Sequence, residues 1–557
     1  MLGNKAKIKI GDDFMESKGV VKENAGGIQV DRRTFVKGTA AVAMALGVGG
    51  FLDNIFGQQV KAHEPAPRPT KWDEEFDVVV VGSGTGALAA MVAKDAGFSA
   101  VILEKAATWG GTTAISGGVL WVPNNYLMKE AGIEDSLEEA FEYMKKASFG
   151  QSSDELIHAY IDNANPTLDY LVQNGHKPKI QVPYADYYHG SIDHSRKLGR
   201  SVIPPGLGRE LMRTVRAAVD ARGIPVYLQT PAVSLITDES GAVVGVWAKS
   251  PAKGKISIRA RRGVLLATGG FDHNKEMREH FLPGPVYYPS AVPTDTGDGI
   301  LMGMAIGADL RNMNEVWGWP VKEITIAGKK MGSFDGGGER AKPGSIYVNR
   351  FGQRFCNESA NYDATTRNFY WWDNSIMDWR NIPAFCIVDS EYRKRYKFGR
   401  QKPGVEQPWM NRSDTLEELA GKLGIDAEGL MATVERVNIF AEEGVDRDFH
   451  RGEKPFDRLT YGDSERTDLK NPCLGPIKTP PFYGVRVYPG SLGTCGGLRI
   501  NGNSQVLTPY GKVIDGLYAA GNTAGSPAGA GYPGAGATLG AGMIFARIAA
   551  LHMAKKN

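Results

Sequence analysis

Phe76-Asp77-Val78-Val79-Val80-Val81 runs without a break into Gly82-Ser83-Gly84-Thr85-Gly86-Ala87 and then into Leu88-Ala89-Ala90-Met91-Val92-Ala93. A continuous β-branched run reads as a strand buried on both faces of a parallel sheet, and the alanine-rich run after it reads as a helix. Gly82 permits the tight turn between them. Gly84 lets the backbone approach a pyrophosphate, and after Gly86 the small Ala87 allows close helix–strand packing. The helix N-terminus then presents unsatisfied N–H groups to phosphate. A second strand, Ala100-Val101-Ile102-Leu103, ends in Glu104-Lys105. Glu104 lies 22 residues beyond Gly82, close to the ~20 at which an acid reaches a ribose hydroxyl. Strand, glycine loop, helix, strand and acid in register predict an α/β dinucleotide-binding fold.

The rest of the 557 residues is consistent with a large soluble enzyme. Lys and Arg number 65 against 62 Asp and Glu, a balance that argues against a nucleic-acid binder. Glycine is in excess, 70 residues, with no collagen-like period, so the surplus belongs in turns and backbone–ligand contacts. Four cysteines, without a C-x-x-C or C-x-x-C-H, give neither a redox pair nor a covalent haem site. Nine histidines contain no H-E-x-x-H, and no metal is expected.

Residues 1–70 read as leader and linker. Asp31-Arg32-Arg33-Thr34-Phe35-Val36-Lys37 resembles a twin-arginine export motif, and Gly38 to Leu52 follows without Lys, Arg, Glu or Asp. Fifteen residues at 1.5 Å each span roughly 22 Å, short of a ~30 Å hydrocarbon core. Val60-Lys61-Ala62 offers an imperfect cleavage site ahead of a proline-rich linker. Export to the periplasm or cell envelope is expected, the alternative being an N-terminal arm that stays in the cytoplasm or at a membrane.

Further motifs identify the dinucleotide by resemblance. Trp109-Gly110-Gly111-Thr112-Thr113-Ala114-Ile115-Ser116-Gly117-Gly118 resembles the stretch with which flavoproteins of the fumarate reductase and ketosteroid dehydrogenase superfamily hold pyrophosphate and flavin. Thr230-Pro231-Ala232-Val233 is similar to their adenine-holding strand. Gly263 to Gly270, with Ala267-Thr268-Gly269 at its heart, is similar to their second signature, and Gly516 to Asn522, ending in Gly521-Asn522, to their flavin-closing motif. The resemblance implies FAD, with Ala537 and Leu539 also contributing. It implies non-covalent binding, since the covalent members carry a histidine where Thr112 and Thr113 stand. The fold implied is a Rossmann-type FAD-binding domain, 71–316 and 483–557, interrupted by an inserted α+β capping domain, 317–482.

Two tyrosines narrow the substrate. Dicarboxylate-reducing members carry an arginine after an Asn-Glu pair and another near the C-terminus. This chain has Asn357-Glu358-Ser359-Ala360-Asn361-Tyr362-Asp363 and Tyr532-Pro533-Gly534-Ala535-Gly536. Tyrosine removes the charged, planar fork that binds carboxylates and leaves a flat, mostly apolar pocket with phenolic hydroxyls. The pattern resembles the 3-ketosteroid Δ1-dehydrogenases, and the match extends to Ala185-Asp186-Tyr187-Tyr188 and Gly493 to Leu498. That resemblance implies that Tyr532 and the Gly536 N–H hold a 3-keto oxygen. It implies too that Tyr362, assisted by Tyr187, takes the proton from carbon 2, with an alkaline optimum. A register uncertain by one residue leaves Tyr188 in play. Cys495 reads as a space-filler, while Trp109, Trp121, Trp317 and Trp319 line a pocket or fill the core. The implied function is 1,2-desaturation of a 3-oxosteroid; the alternative is a flavin-dependent enone or ketosteroid reductase. The electron acceptor stays open between a quinone and another carrier, as does peripheral membrane association.

Overall fold

The computed structural model describes residues 68–334 and 338–555. The twin-arginine-like segment, its apolar stretch and the Val60-Lys61-Ala62 site lie outside the described residues. Glu74–Val81 is a strand whose Val78, Val79 and Val80 are wholly buried, as a strand covered on both faces requires. It pairs in parallel with Ala100–Leu103 on one side and Gly254–Leu266 on the other. Val226–Tyr227 and Val513–Ala519 extend the sheet in parallel, and Gln505–Leu507 closes one edge antiparallel.

The strands end at a common edge. Gly82 N donates to Leu103 O, Ala267 N to Val81 O and Ala520 N to Leu266 O. The carboxyl end of a parallel sheet is where such folds bind ligands. Helix Ala87–Asp95 leaves this edge and packs against helix Ala537–Lys555. The latter is long and apolar enough to cross a membrane by length and mean hydropathy, yet 61% of it is buried in the protein. It is apolar all round because it is a core helix.

A second, antiparallel sheet takes its strands from Val316 to Thr494, in the order Lys329–Phe334, Val316–Ile326, Phe482–Thr494, Ala384–Val388, Ser345–Val348. The boundary expected at 482 falls at the first residue of Phe482–Thr494, and the pairing of that strand carries the second sheet to Thr494. The charged run from Asp414 is helix Leu416–Leu423, begun by Thr415, whose hydroxyl accepts from Glu418 N at 3.1 Å. A third, small sheet joins Leu120–Trp121, Ser201–Ile203 and Lys179–Ile180 and carries the loop that contains Tyr187.

Buried charge anchors the Asn-Glu segment. Arg354 grips Glu358 at 3.0 and 2.8 Å and Asp446 at 3.0 and 2.9 Å. Arg451 reaches Glu358 at 3.1 Å, and Tyr347 N donates to the same carboxylate. Glu358 therefore fixes the turn that leads to Tyr362. Removing one member of a buried charge cluster strands its partners, at a cost of about 3–5 kcal/mol. Glu358→Gln is expected to lower the stability measured by urea unfolding by about 3 kcal/mol.

Candidate active site

The carboxyl edge of the parallel sheet opens into one continuous cavity of about 610 Å³. Gly82 sits at its floor with φ +109°, where a Cβ would fall 2.1 Å from Ala267 O, so no other residue fits the turn. Glu104 is buried and already engaged: Ser83 N and Ser83 Oγ donate to Oε2 at 3.1 and 2.6 Å, and Ala106 N donates to Oε1 at 2.7 Å. The acid thus braces the glycine loop while lining the cavity. Lys105 donates to Thr296 at 2.6 Å and to Asp298 at 2.7 Å.

Of the residues singled out from the sequence for the cofactor, Gly82, Gly84, Glu104 and Lys105 line this cavity. Gly111, Thr112, Thr113, Ser116, Gly117 and Gly118 do so from the second segment, Ala267, Thr268 and Gly269 from the third, and Gly521, Asn522 and Leu539 from the C-terminal part. Gly86, Ala87, Gly110, Val233 and Ala537 are not among the lining residues. Gly86 serves packing, since a Cβ there would fall 2.5 Å from Ala267 Cβ. Gly110 N donates to Ser83 Oγ behind the wall. Ala87 and Ala537 are buried helix starts, and beside Val233 it is Pro231 and Ala232 that face the cavity. Sequence reasoning missed the segment 290–298, from which Ser290, Val292, Thr294, Asp295 and Asp298 line the wall. The cluster Thr296-Gly297-Asp298-Gly299 was the available signal.

At the other end lie three buried phenols. Tyr187, Tyr362 and Tyr532 all line the cavity, with ring centroids 5.0–5.7 Å apart and edges turned toward faces. Tyr187 donates a hydrogen bond to the Tyr362 hydroxyl at 2.6 Å. Trp319 stacks on Tyr362 at 4.2 Å and 12°, and Trp317 packs on Tyr532 at 4.5 Å. Both tryptophans lie on Val316–Ile326, whose pairing with Phe482–Thr494 shifts register between Trp317 and Gly318. Trp319 lines the cavity and Trp317 packs behind; Trp121 and Trp109 donate to Asp186 and to Met212 O.

Each phenol has its own support. Tyr362 opens the short helix Tyr362–Arg367, and Asp363 accepts from Gly318 N at 2.9 Å. The Tyr187 loop is held by Asp186, which accepts from Trp121 Nε1, Arg196 N and Arg200 at 2.8–2.9 Å. Tyr188 takes a different place from its neighbour: its hydroxyl accepts from Tyr532 N at 3.1 Å. Pro533 O accepts from Tyr143 at 2.6 Å and from Tyr187 N at 3.0 Å. Gly536 lines the cavity with φ +93°; a Cβ there would fall 2.6 Å from the Leu120 and Val119 carbonyl carbons. Its N–H meets no acceptor among the described residues, which leaves a donor free for a ligand. Cys495 is a buried thiol that donates to Gly529 O at 3.2 Å, outside the lining.

At the phenol end of the cavity the side chains are uncharged, while Glu104, Lys105, Asp295 and Asp298 lie in the same wall. Burial pushes Tyr187 and Tyr362 well above the ordinary phenol range and raises Tyr532 too, with neighbouring phenols adding to the effect on Tyr187 and Tyr362. Among the described lining residues the sole cation is Lys105, held by Asp298; no guanidinium is present. No cluster of three or more His, Cys, Asp or Glu suited to a metal occurs among the described residues.

Residues 77–539 match the family described as an FAD binding domain. The chain is 37% identical over 563 residues to a 3-oxosteroid 1-dehydrogenase of Mycobacterium tuberculosis, covering 86% of this chain and 98% of that protein. It is 36% identical to a 4-oxocyclohexanecarboxylate 2-dehydrogenase of Sinomonas cyclohexanicum, covering 85% and 92%. Among solved structures it is similar to the 3-ketosteroid Δ1-dehydrogenase of Sterolibacterium denitrificans in complex with 1,4-androstadiene-3,17-dione, with a TM-score of 0.79, 34% identity and coverage of 86% and 99%. The glycine loop, the buried Glu104 and the open wall at Gly111, where a Cβ would meet nothing within 4 Å, suit a flavin dinucleotide. Gly82→Ala is expected to lose its flavin and to melt well below the wild type, read from the visible absorbance ratio and a thermal scan.

Proposed function

The chain belongs to the FAD-dependent 3-ketosteroid Δ1-dehydrogenases, and on that premise we propose that Tyr187, Tyr362, Tyr532 and Gly536 carry out the 1,2-desaturation of a 3-oxosteroid. The enzyme is an oxidoreductase acting on a CH–CH group. The supporting observation is the trio of buried phenols beside a Gly536 N–H that meets no acceptor among the described residues, in a wall whose described residues include no guanidinium. An uncharged ring ketone suits this wall better than a substrate that carries a carboxylate.

Tyr532 and the Gly536 N–H donate to the 3-keto oxygen and stabilise the negative charge that grows there as carbon 2 loses its proton. Tyr362 takes that proton on its hydroxyl oxygen, and Tyr187, donating across 2.6 Å, turns its O–H toward the oxygen that gains charge, against the upward push of burial and of the neighbouring phenols on Tyr362. The glycine loop, Glu104 and the segment 111–118 would hold FAD, which when bound would supply the acceptor for the hydride that leaves carbon 1. Helix Ala537–Lys555 begins at the cavity wall, and its N-terminal end favours negative charge there. Trp319 and Leu492, also in the wall, help keep water from the reacting carbons.

The buried phenols bear on the expected alkaline optimum. Nothing cationic in the described wall lowers Tyr362; burial raises it. The active form of the base is the phenolate, so activity increases as pH rises toward the phenol range. The electrons pass on to a quinone or another carrier. The apolar substrate fits work at a membrane surface, and the Asp31-Arg32-Arg33 segment fits export of the folded, cofactor-loaded chain.

Anaerobic mixing with androst-4-ene-3,17-dione is expected to bleach the flavin and remove two hydrogens from the steroid, faster at pH 9 than at pH 7. 4-Oxocyclohexanecarboxylate is expected to leave the flavin oxidised. Tyr532→Phe, which removes one donor to the keto oxygen, is expected to slow bleaching by about 10²-fold while the flavin stays bound. Bleaching by the carboxylate alone would overturn the steroid reading.

A further inference from the structure

Tyr187 and Tyr362 reach each other from opposite parts of the chain, one on the loop between Lys179–Ile180 and Ser201–Ile203, the other at the start of a helix. One side chain is bonded to both segments. Asn361, 3% exposed, donates from Nδ2 to Tyr187 O at 3.2 Å and accepts at Oδ1 from Ala364 N at 2.8 Å. The second bond caps the helix that begins at Tyr362. Both ends of the amide are therefore in use, on the backbones of the two segments whose hydroxyls meet.

We propose that Asn361 is a positioning residue for proton abstraction: it ties the Tyr187 backbone to the helix that carries Tyr362 and so sets the 2.6 Å contact between their hydroxyls. The inference rests on the assignment of Tyr362 as the base. A phenol gains as a base when a donor waits at hydrogen-bond distance for its anion, and an ångström of slack removes most of that stabilisation. Serine at 361 has an oxygen for the helix cap, but its hydroxyl sits one bond nearer the backbone than the Nδ2 that reaches Tyr187 O at 3.2 Å; alanine has neither group.

The groups that act on Tyr362 are themselves phenols, Tyr187 and Tyr532. Tyr184 and Tyr461 act on Tyr187, and Asp363 and Cys495 on Tyr532. Asp363 is in turn paired with Arg367. The Asn361 side chain bonds Tyr187 O and Ala364 N and none of the side chains of Tyr184, Tyr461, Tyr532, Asp363 or Cys495, so a shift in the pH profile reports the Tyr187–Tyr362 geometry.

The test is single-turnover bleaching of the flavin-loaded protein by androst-4-ene-3,17-dione, anaerobically, from pH 6.5 to 10.5. Asn361→Ser is expected to keep its flavin and its melting temperature, to bleach about tenfold more slowly at pH 8, and to move the rise in rate up by about one pH unit. Asn361→Ala is expected to show the same displaced profile with a lower melting temperature. Tyr362→Phe, run alongside, is expected not to bleach at any pH. A wild-type profile in Asn361→Ser, or a rate reduced equally at every pH, would overturn the positioning role while Tyr362→Phe stays inert. Bleaching by Tyr362→Phe at the wild-type rate would instead remove the base assignment itself.

Discussion

Two hydroxyls, 175 residues apart in the chain, meet at 2.6 Å in a wall with no cation beside them among the described residues. Burying phenols costs little while they stay neutral and hydrogen-bonded, but it makes their ionisation harder. The rest of the site follows from that constraint. The cavity must exclude water for a steroid carbon acid to react, yet it cannot place a positive charge beside Tyr362 without inviting carboxylates. It relies on geometry instead: a second phenol at bonding distance, a third at the keto end and a backbone N–H left without an acceptor.

Charge is abundant one layer further out, where it holds backbone rather than substrate. Asp186 with Arg200 and Asp135 fixes the Tyr187 loop, Arg354 with Glu358, Asp446 and Arg451 fixes the turn before Tyr362, and Asp363 pairs with Arg367 under the helix. The carboxylates in these clusters are paired with guanidinium groups, and of them Asp363 acts on Tyr532, raising it. The arrangement separates rigidity, supplied by ion pairs, from a neutral reaction space lined by rings. Tyr143 and Tyr188 continue it by bonding the 532–533 backbone.

The parts of this design that are local in sequence are legible from it. Strand, glycine loop, helix and Glu104 form one continuous pattern, and the sheet register places them together. A motif assigns all its glycines to ligand contact, whereas Gly86 and Gly110 shape the loop from behind: strand–helix packing needs the absence of a Cβ as much as the phosphate does. Tyr187 and Tyr188 cannot be separated by resemblance, and they differ in what they hold, since one faces the cavity and the other bonds Tyr532 N. Asn361 leaves no sequence signal, because its second partner lies 174 residues away. The wall at 290–298 carries one local sign, the Thr296-Gly297-Asp298-Gly299 cluster, but its place beside the cavity is set by tertiary contacts.

The most direct measurement follows the proton itself. A 3-oxosteroid deuterated at carbon 2, held anaerobically with the flavin-loaded protein, is monitored by mass spectrometry for loss of deuterium to water, in the wild type and in Tyr362→Phe. We expect the wild type to release carbon-2 deuterium far faster than buffer alone, and Tyr362→Phe, with flavin and steroid still bound, to release it no faster than buffer. Deuterium lost at the wild-type rate from Tyr362→Phe would show that another group takes the proton.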